Sequence, residues 1–145
     1  MNNSLIVITD ADAIVAQTFP DDSNHQKART ISQDLIDLNA HVIYPVTAIT
    51  EAVTFIQRAL SSGATAYGTA VSFTNPNVEV VAIDQDIYSH AVKYFSPKTS
   101  KKNTLFDCIV AAVADRYKAD AIFSFDHFYE SRGFKLAGEL KKVSR

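Results

Sequence analysis

Apolar positions fall along this chain in two alternating rhythms. Short apolar-rich runs, Leu5-Ile-Val-Ile8, His41-Val-Ile-Tyr44, Val78-Glu-Val-Val-Ala-Ile83 and Ala121-Ile-Phe-Ser-Phe125, read as strands. Continuous runs of this length suit strands covered on both faces. Helical patterns lie between them. Ala13-Ile-Val-Ala16 predicts a short helix stopped near Pro20, and Asp21, Asp22 and Ser23 offer N-caps for a helix over 24–38. Ile49, Val53, Ile56 and Leu60 recur at helical spacing over 47–60, before Ser61-Ser-Gly63. Further helices are expected over 64–73, 84–95 and 104–118, a polar lysine-rich loop over 96–103, and about one helical turn over 126–131. Strands separated by helices predict an α/β fold, a mostly parallel sheet with helices on both faces. Such sheets bind ligands beyond the carboxyl ends of their strands.

Composition adds bounds to this picture. A chain of 145 residues with 47% hydrophobic residues fits one domain, here 1–145, with a sizeable core. The single cysteine, Cys108, excludes an intramolecular disulfide. No basic region precedes Leu5–Ile8, as a secretory leader requires. The longest apolar stretch, Cys108 to Ala114, is far short of the roughly 20 residues that span a bilayer. The expectation is a cytoplasmic protein with no membrane partner. Net charge is -2, but residues 1–96 hold 4 Lys/Arg against 10 Asp/Glu and residues 97–145 hold 10 against 6. Lys98, Lys101 and Lys102 form a basic segment that either meets a phosphate backbone or is simply a solvated loop.

Four carboxylates carry the candidate chemistry. Asp10 ends the first strand run, Glu51 lies early in a helix, Asp107 opens an otherwise apolar helix, and Asp126 follows the last strand run. Taken singly, each has an ordinary reading. Asp10 and Asp126 suit helix N-caps, Thr104-Leu-Phe-Asp107 has the spacing of a capping box, and Glu51 fits an exposed helix face. Taken together they suit hard divalent cations, which prefer oxygen ligands and activate water for phosphodiester hydrolysis. Asp107 stands alone among charged residues between Lys102 and Asp115, on a helix apolar nearly all round, so it is expected to be buried and to need a partner.

The residues around these acids resemble the PIN-domain family, most closely its small VapC-type toxin ribonucleases. The opening strand with Asp10-Ala-Asp-Ala-Ile14 is similar to the first family motif. Val46-Thr-Ala-Ile-Thr-Glu51 resembles the second, Leu105-Phe-Asp107-Cys-Ile-Val-Ala-Ala-Val-Ala114 the third, and Ile122-Phe-Ser-Phe-Asp126-His-Phe128 the fourth. The motifs occur in family order across essentially the whole chain. Two positions depart from the pattern: Ala11 stands where Thr or Ser is usual, and Asp12 where a small polar residue is usual. The extra carboxylate either strengthens metal binding or faces away.

The resemblance implies a three-layer α/β/α PIN-like domain and an endoribonuclease. Asp10, Glu51, Asp107 and Asp126 would hold one or two Mg²⁺ or Mn²⁺ ions, and Ser124 would orient a ligand or touch phosphate. It further implies RNA as substrate, a small antitoxin as partner, and a homodimer.

Two rival functions remain at this stage. Asp10-Ala-Asp12 also resembles the opening motif of haloacid-dehalogenase-like phosphatases, with Asp10 as nucleophile and Asp12 as acid/base. No later motif of that family appears. The other rival is a catalytically silent PIN-like binding module. Cys108 reads as core packing, because no histidine lies near it in sequence. His25, His41 and His90 lack metal-ligand spacing. His127 reads as a loop residue. Among the tyrosines, Tyr129 is the one near the site and the candidate for base stacking. Gly63, Gly68, Gly133 and Gly138 form no phosphate-binding loop.

Overall fold

Four parallel strands form the middle layer, in the order β3-β2-β1-β4. In this computed structural model, which describes residues 4–140, they are β1 (Ile6–Thr9), β2 (His41–Pro45), β3 (Glu79–Val81) and β4 (Ala121–Phe123). The chain builds outward from β1 to β2 to β3, then returns to add β4 on the other side of β1. Strand direction of growth therefore reverses between β1 and β4. That boundary is where open α/β sheets leave a crevice at their carboxyl edge.

The alternation seen in the sequence explains the layers. Ile8 pairs with Ile43 on one side and Ile122 on the other, and all three are fully buried on one face. That face packs against α3 (Val46–Arg58) and α6 (Leu105–Arg116), with α4 (Gly63–Ser72) and α5 (Gln85–Val92) continuing the same core. Val7, Ala121 and Phe123 face the opposite way, onto α2 (His25–Asp37) and a 3₁₀ turn at Ala137–Glu139. The short α1 (Ala11–Thr18) supplies residues to both cores. The result is the expected three-layer α/β/α arrangement. α7 (Phe128–Ser131) follows β4 after a short turn.

α6 is buried from Asp107 through Ala114, as its all-round apolar sequence predicts. Its neighbour α5 has Asp84 as its N-cap, whose side chain accepts from Ile87 N–H at 2.8 Å. No helix among the described residues is long and apolar enough to cross a membrane.

Several boundaries differ from expectation. β4 stops at Phe123 rather than Phe125, because the next backbone groups leave the sheet: Phe125 N–H donates to Asp12 and Asp126 N–H to the Ser124 hydroxyl. β3 keeps only Glu79–Val81 of the 78–83 run. The N-cap position of α2 is Asn24, without a side-chain cap bond, and Asp22 instead accepts from Asn24 N–H at 2.8 Å. The segment after α7 was unmarked by periodicity, yet Leu136 bridges Ile122 in parallel and leads into the 3₁₀ turn. Gly138 permits that turn's close seat on α2, since a Cβ there would lie 3.3 Å from Ile31 Cδ1. Residues 1–3, on which the leader expectation rests, and Lys141, Lys142 and Arg145 of the basic balance lie outside the described residues.

Candidate active site

The three aspartates each split their two oxygens between tasks. Asp10 directly follows β1. Its Oδ1 accepts from Ala11 N–H at 2.7 Å and caps α1, while Oδ2 accepts from the Tyr129 hydroxyl at 2.7 Å and lies 3.3 Å from the Ser124 hydroxyl. Asp107 sits at the third position of α6. Its Oδ2 accepts from Thr104 N–H at 2.9 Å, as in a capping box, and its Oδ1 stands 3.4 Å from the Tyr129 hydroxyl. Asp126 follows β4. Its Oδ1 accepts from Phe128 N–H at 2.9 Å and its Oδ2 from the Asn103 amide at 2.7 Å. Each aspartate serves the local backbone with one oxygen and meets a distant element with the other.

Asp12 faces inward. It lies in the first turn of α1, and its Oδ2 accepts from the Ser124 hydroxyl at 3.0 Å and from Phe125 N–H at 2.8 Å. Its other oxygen, Oδ1, is buried with no hydrogen-bond partner. Glu51 reaches in from the second turn of α3, and its Oε1 is likewise buried and unpartnered. Ser124 is 3% exposed; its one proton serves the nearer acceptor, Asp12 Oδ2, and its oxygen accepts from Asp126 N–H at 3.0 Å.

These groups line one cleft of about 370 Å³: Asp10, Asp12, Glu51, Asp107 and Asp126, with Lys102 and Asn24 at its margin. It opens at the carboxyl edge of the sheet, over the β1–β4 boundary. Burial raises the affinity of these acids for protons, and their mutual repulsion raises it further. Glu51 is pushed up to about 7, by burial first and then by Asp107 and Asp12. Asp12 is pushed up to about 6, again chiefly by burial. Asp10 and Asp107 are raised by burial and by neighbouring acids, against the hydrogen bonds that hold them down. Tyr129 is fully buried and stays protonated, its phenol raised by burial and by the Asp10 charge. A phenol carries one proton, so the 2.7 Å bond to Asp10 takes it.

The donor set fits a hard divalent cation. Five carboxylates line the cleft, and two of their oxygens are buried without any partner. Among the described residues, no three carboxylate, imidazole or thiolate groups stand close enough, as oriented, to hold one ion. Convergence on an ion therefore requires side-chain rotation. Glu51, whose Oε1 has no hydrogen bond to break, is the group readiest to move.

The structure thus brings Asp10, Glu51, Asp107, Asp126 and Ser124 to one place. Three further residues join them that the sequence did not assign. Asp12, which the sequence leaves between facing in and facing away, faces in, held by Ser124 and Phe125 N–H. Tyr129 is no stacking platform, since its ring is wholly enclosed. Asn103 was hidden in a polar loop and carries no pattern of its own.

The chain matches the PIN-domain family model over residues 7–135. It belongs to the PIN-domain family. The crystal structure of Mycobacterium tuberculosis VapC20, a Sarcin-Ricin loop cleaving toxin, shares its fold: the TM-score is 0.76 at 16% identity, covering 88% of this chain and 95% of that one. Among curated proteins, none matches by sequence. With the PIN model spanning both Asp10 and Asp12, the haloacid-dehalogenase-like alternative loses its footing.

Proposed function

We propose that this PIN-domain protein is a metal-dependent endoribonuclease, acting in the cytoplasm as the toxin of a toxin–antitoxin pair. The observation that carries the reading is the cleft itself, where five acids gather and two of them, Asp12 and Glu51, each keep one buried oxygen without a partner. A buried carboxylate without a partner is unfavourable, and a divalent cation is the partner that relieves several at once. The likeness in fold to VapC20, a Sarcin-Ricin loop cleaving toxin, supports RNA as substrate.

Asp10, Glu51, Asp107 and Asp126 would hold Mg²⁺ or Mn²⁺, with Asp12 as an added oxygen donor. A bound ion of this kind stabilises charge on a scissile phosphate and lowers the pKa of a water for attack. The chain's own residues prepare the site for it. Tyr129 holds Asp10 Oδ2 in place, Ser124 holds Asp12 Oδ2, and Asn103 holds Asp126 Oδ2. Lys102, the lysine of the basic segment that lines the cleft, offers charge to the phosphate. A homodimer and a small antitoxin complete the reading.

The test is cleavage of a panel of structured RNAs with Mg²⁺, Mn²⁺ or a chelator, using Asp107→Asn as control. Metal-dependent cleavage abolished by the substitution is expected. Cleavage that persists equally in Asp107→Asn removes this cleft from the mechanism. A protein that binds Mn²⁺ and RNA yet cleaves none of the panel would instead be the silent binding module.

A further inference from the structure

A second, larger groove opens beside the acidic cleft. It measures about 740 Å³ and runs between α2 and the C-terminal 3₁₀ turn. Two residues, Asn24 and Phe125, line both. They form the wall and the passage between the two spaces.

Both are held for that place. Phe125 N–H is fixed on Asp12 Oδ2 at 2.8 Å, and its half-buried ring sits edge-on to Phe123, with centroids 6.2 Å apart. Asn24 stands at the head of α2 but makes no side-chain cap bond, so its carboxamide is not spent on the helix. Beyond them the groove has an apolar floor, Ile31 and Leu136, and a rim of hydrogen-bonding groups that includes Gln26 and Thr30. Lys27 is outweighed by Asp34 and Glu139 among the lining residues. A surface of this charge does not track a phosphate backbone. Hydrogen-bonding amides and hydroxyls over an apolar floor, with an aromatic at the entrance, suit the edges and face of a base. The volume lies within the roughly 300–1,000 Å³ of small-ligand sites. Lys102 stands at the acidic cleft and not in the groove, so the charged contact is kept apart from it.

We propose that this groove is a nucleobase subsite, which takes an unpaired RNA base beside the bond cut in the acidic cleft, with Phe125 stacking on the base and Asn24 hydrogen-bonding to it. The inference rests on the ribonuclease reading and adds to it a binding element on one flank of the cut.

The test is equilibrium binding by fluorescence anisotropy, in the full chain carrying Asp107→Asn. The probes are a short single-stranded RNA and versions of it with one abasic site walked along the strand. Phe125→Leu, which keeps an apolar side chain on Phe123, and Asn24→Ala are each expected to weaken binding about fivefold to thirtyfold. At one abasic position the parent should lose affinity similarly and the variants should lose no more. Melting curves identify any variant that fails to fold, and Asn24→Ala, on a half-exposed residue, leaves the test open if Phe125→Leu does fail. Unchanged binding in folded variants, or equal further loss at every abasic position, overturns the subsite while leaving the nuclease reading standing. A parent that binds none of these RNAs overturns both.

Discussion

The hydroxyl of the fully buried Tyr129 donates to Asp10 Oδ2 at 2.7 Å and lies 3.4 Å from Asp107 Oδ1. The phenol thus ties the residue after β1 to α7, with the first turn of α6 close by. Tyr129→Phe keeps the ring and removes the tie. Losing a hydrogen bond to a buried carboxylate costs about 1–3 kcal/mol. The expected result is a lower melting temperature together with weaker Mn²⁺ binding in a calorimetric titration. Unchanged Mn²⁺ affinity would mean that the phenol does not position the acids.

The raised acids predict an unusual pH dependence. Glu51 at about 7 and Asp12 at about 6 bind protons more tightly folded than their ordinary values allow unfolded. The folded state therefore holds more protons, and stability falls as pH rises. The metal-free protein should gain stability on going from about pH 8 to pH 5, through the folded values toward the ordinary carboxylate range. Glu51→Gln should flatten the upper part of that slope. Thermal melts across pH, in a chelator, measure both. A cation competes with these protons, so the rise in melting temperature on adding Mn²⁺ should shrink as pH drops through that range.

Asp12→Asn tests the extra carboxylate. Asparagine retains a carbonyl to accept from Ser124 and Phe125 and removes the buried charge. The metal-free protein should become more stable, by on the order of 2 kcal/mol, in chemical denaturation at pH 8. Mn²⁺ affinity should fall modestly and RNA cleavage should survive. Complete loss of activity would restore Asp12 as an essential acid/base.

Lys102 stands at the rim of the acidic cleft. If it meets phosphate, Lys102→Ala should weaken RNA binding evenly across sequences and reduce the salt slope by about one. A sequence-dependent loss would contradict that role and is the pattern expected of Phe125 and Asn24 instead.

Much of the site is legible in the sequence, because it uses local rules. The aspartates at strand and helix ends read as caps, and the structure shows Asp10 capping α1 and Asp107 closing the capping box of α6, while the N-cap position of α7 is His127. Asp10, Asp107 and Asp126 each give one oxygen to nearby backbone N–H groups and turn the other toward a distant element. Asn103, by contrast, had no signal, since nothing in a polar loop marks which amide will meet Asp126.

By itself, the sequence determined the alternation of strands and helices, the burial of α6 and the family motifs. Apolar period and capping chemistry act over a few neighbouring residues, and these features need nothing more. Tertiary structure alone decided that Asp12 faces inward, that Tyr129 is enclosed rather than offered for stacking, and that a second groove adjoins the acidic cleft. The bond from Tyr129 to Asp10 joins residues 119 positions apart. No local periodicity encodes such a pairing; it exists because the parallel sheet sets β4 beside β1 and brings both carboxyl ends to one edge.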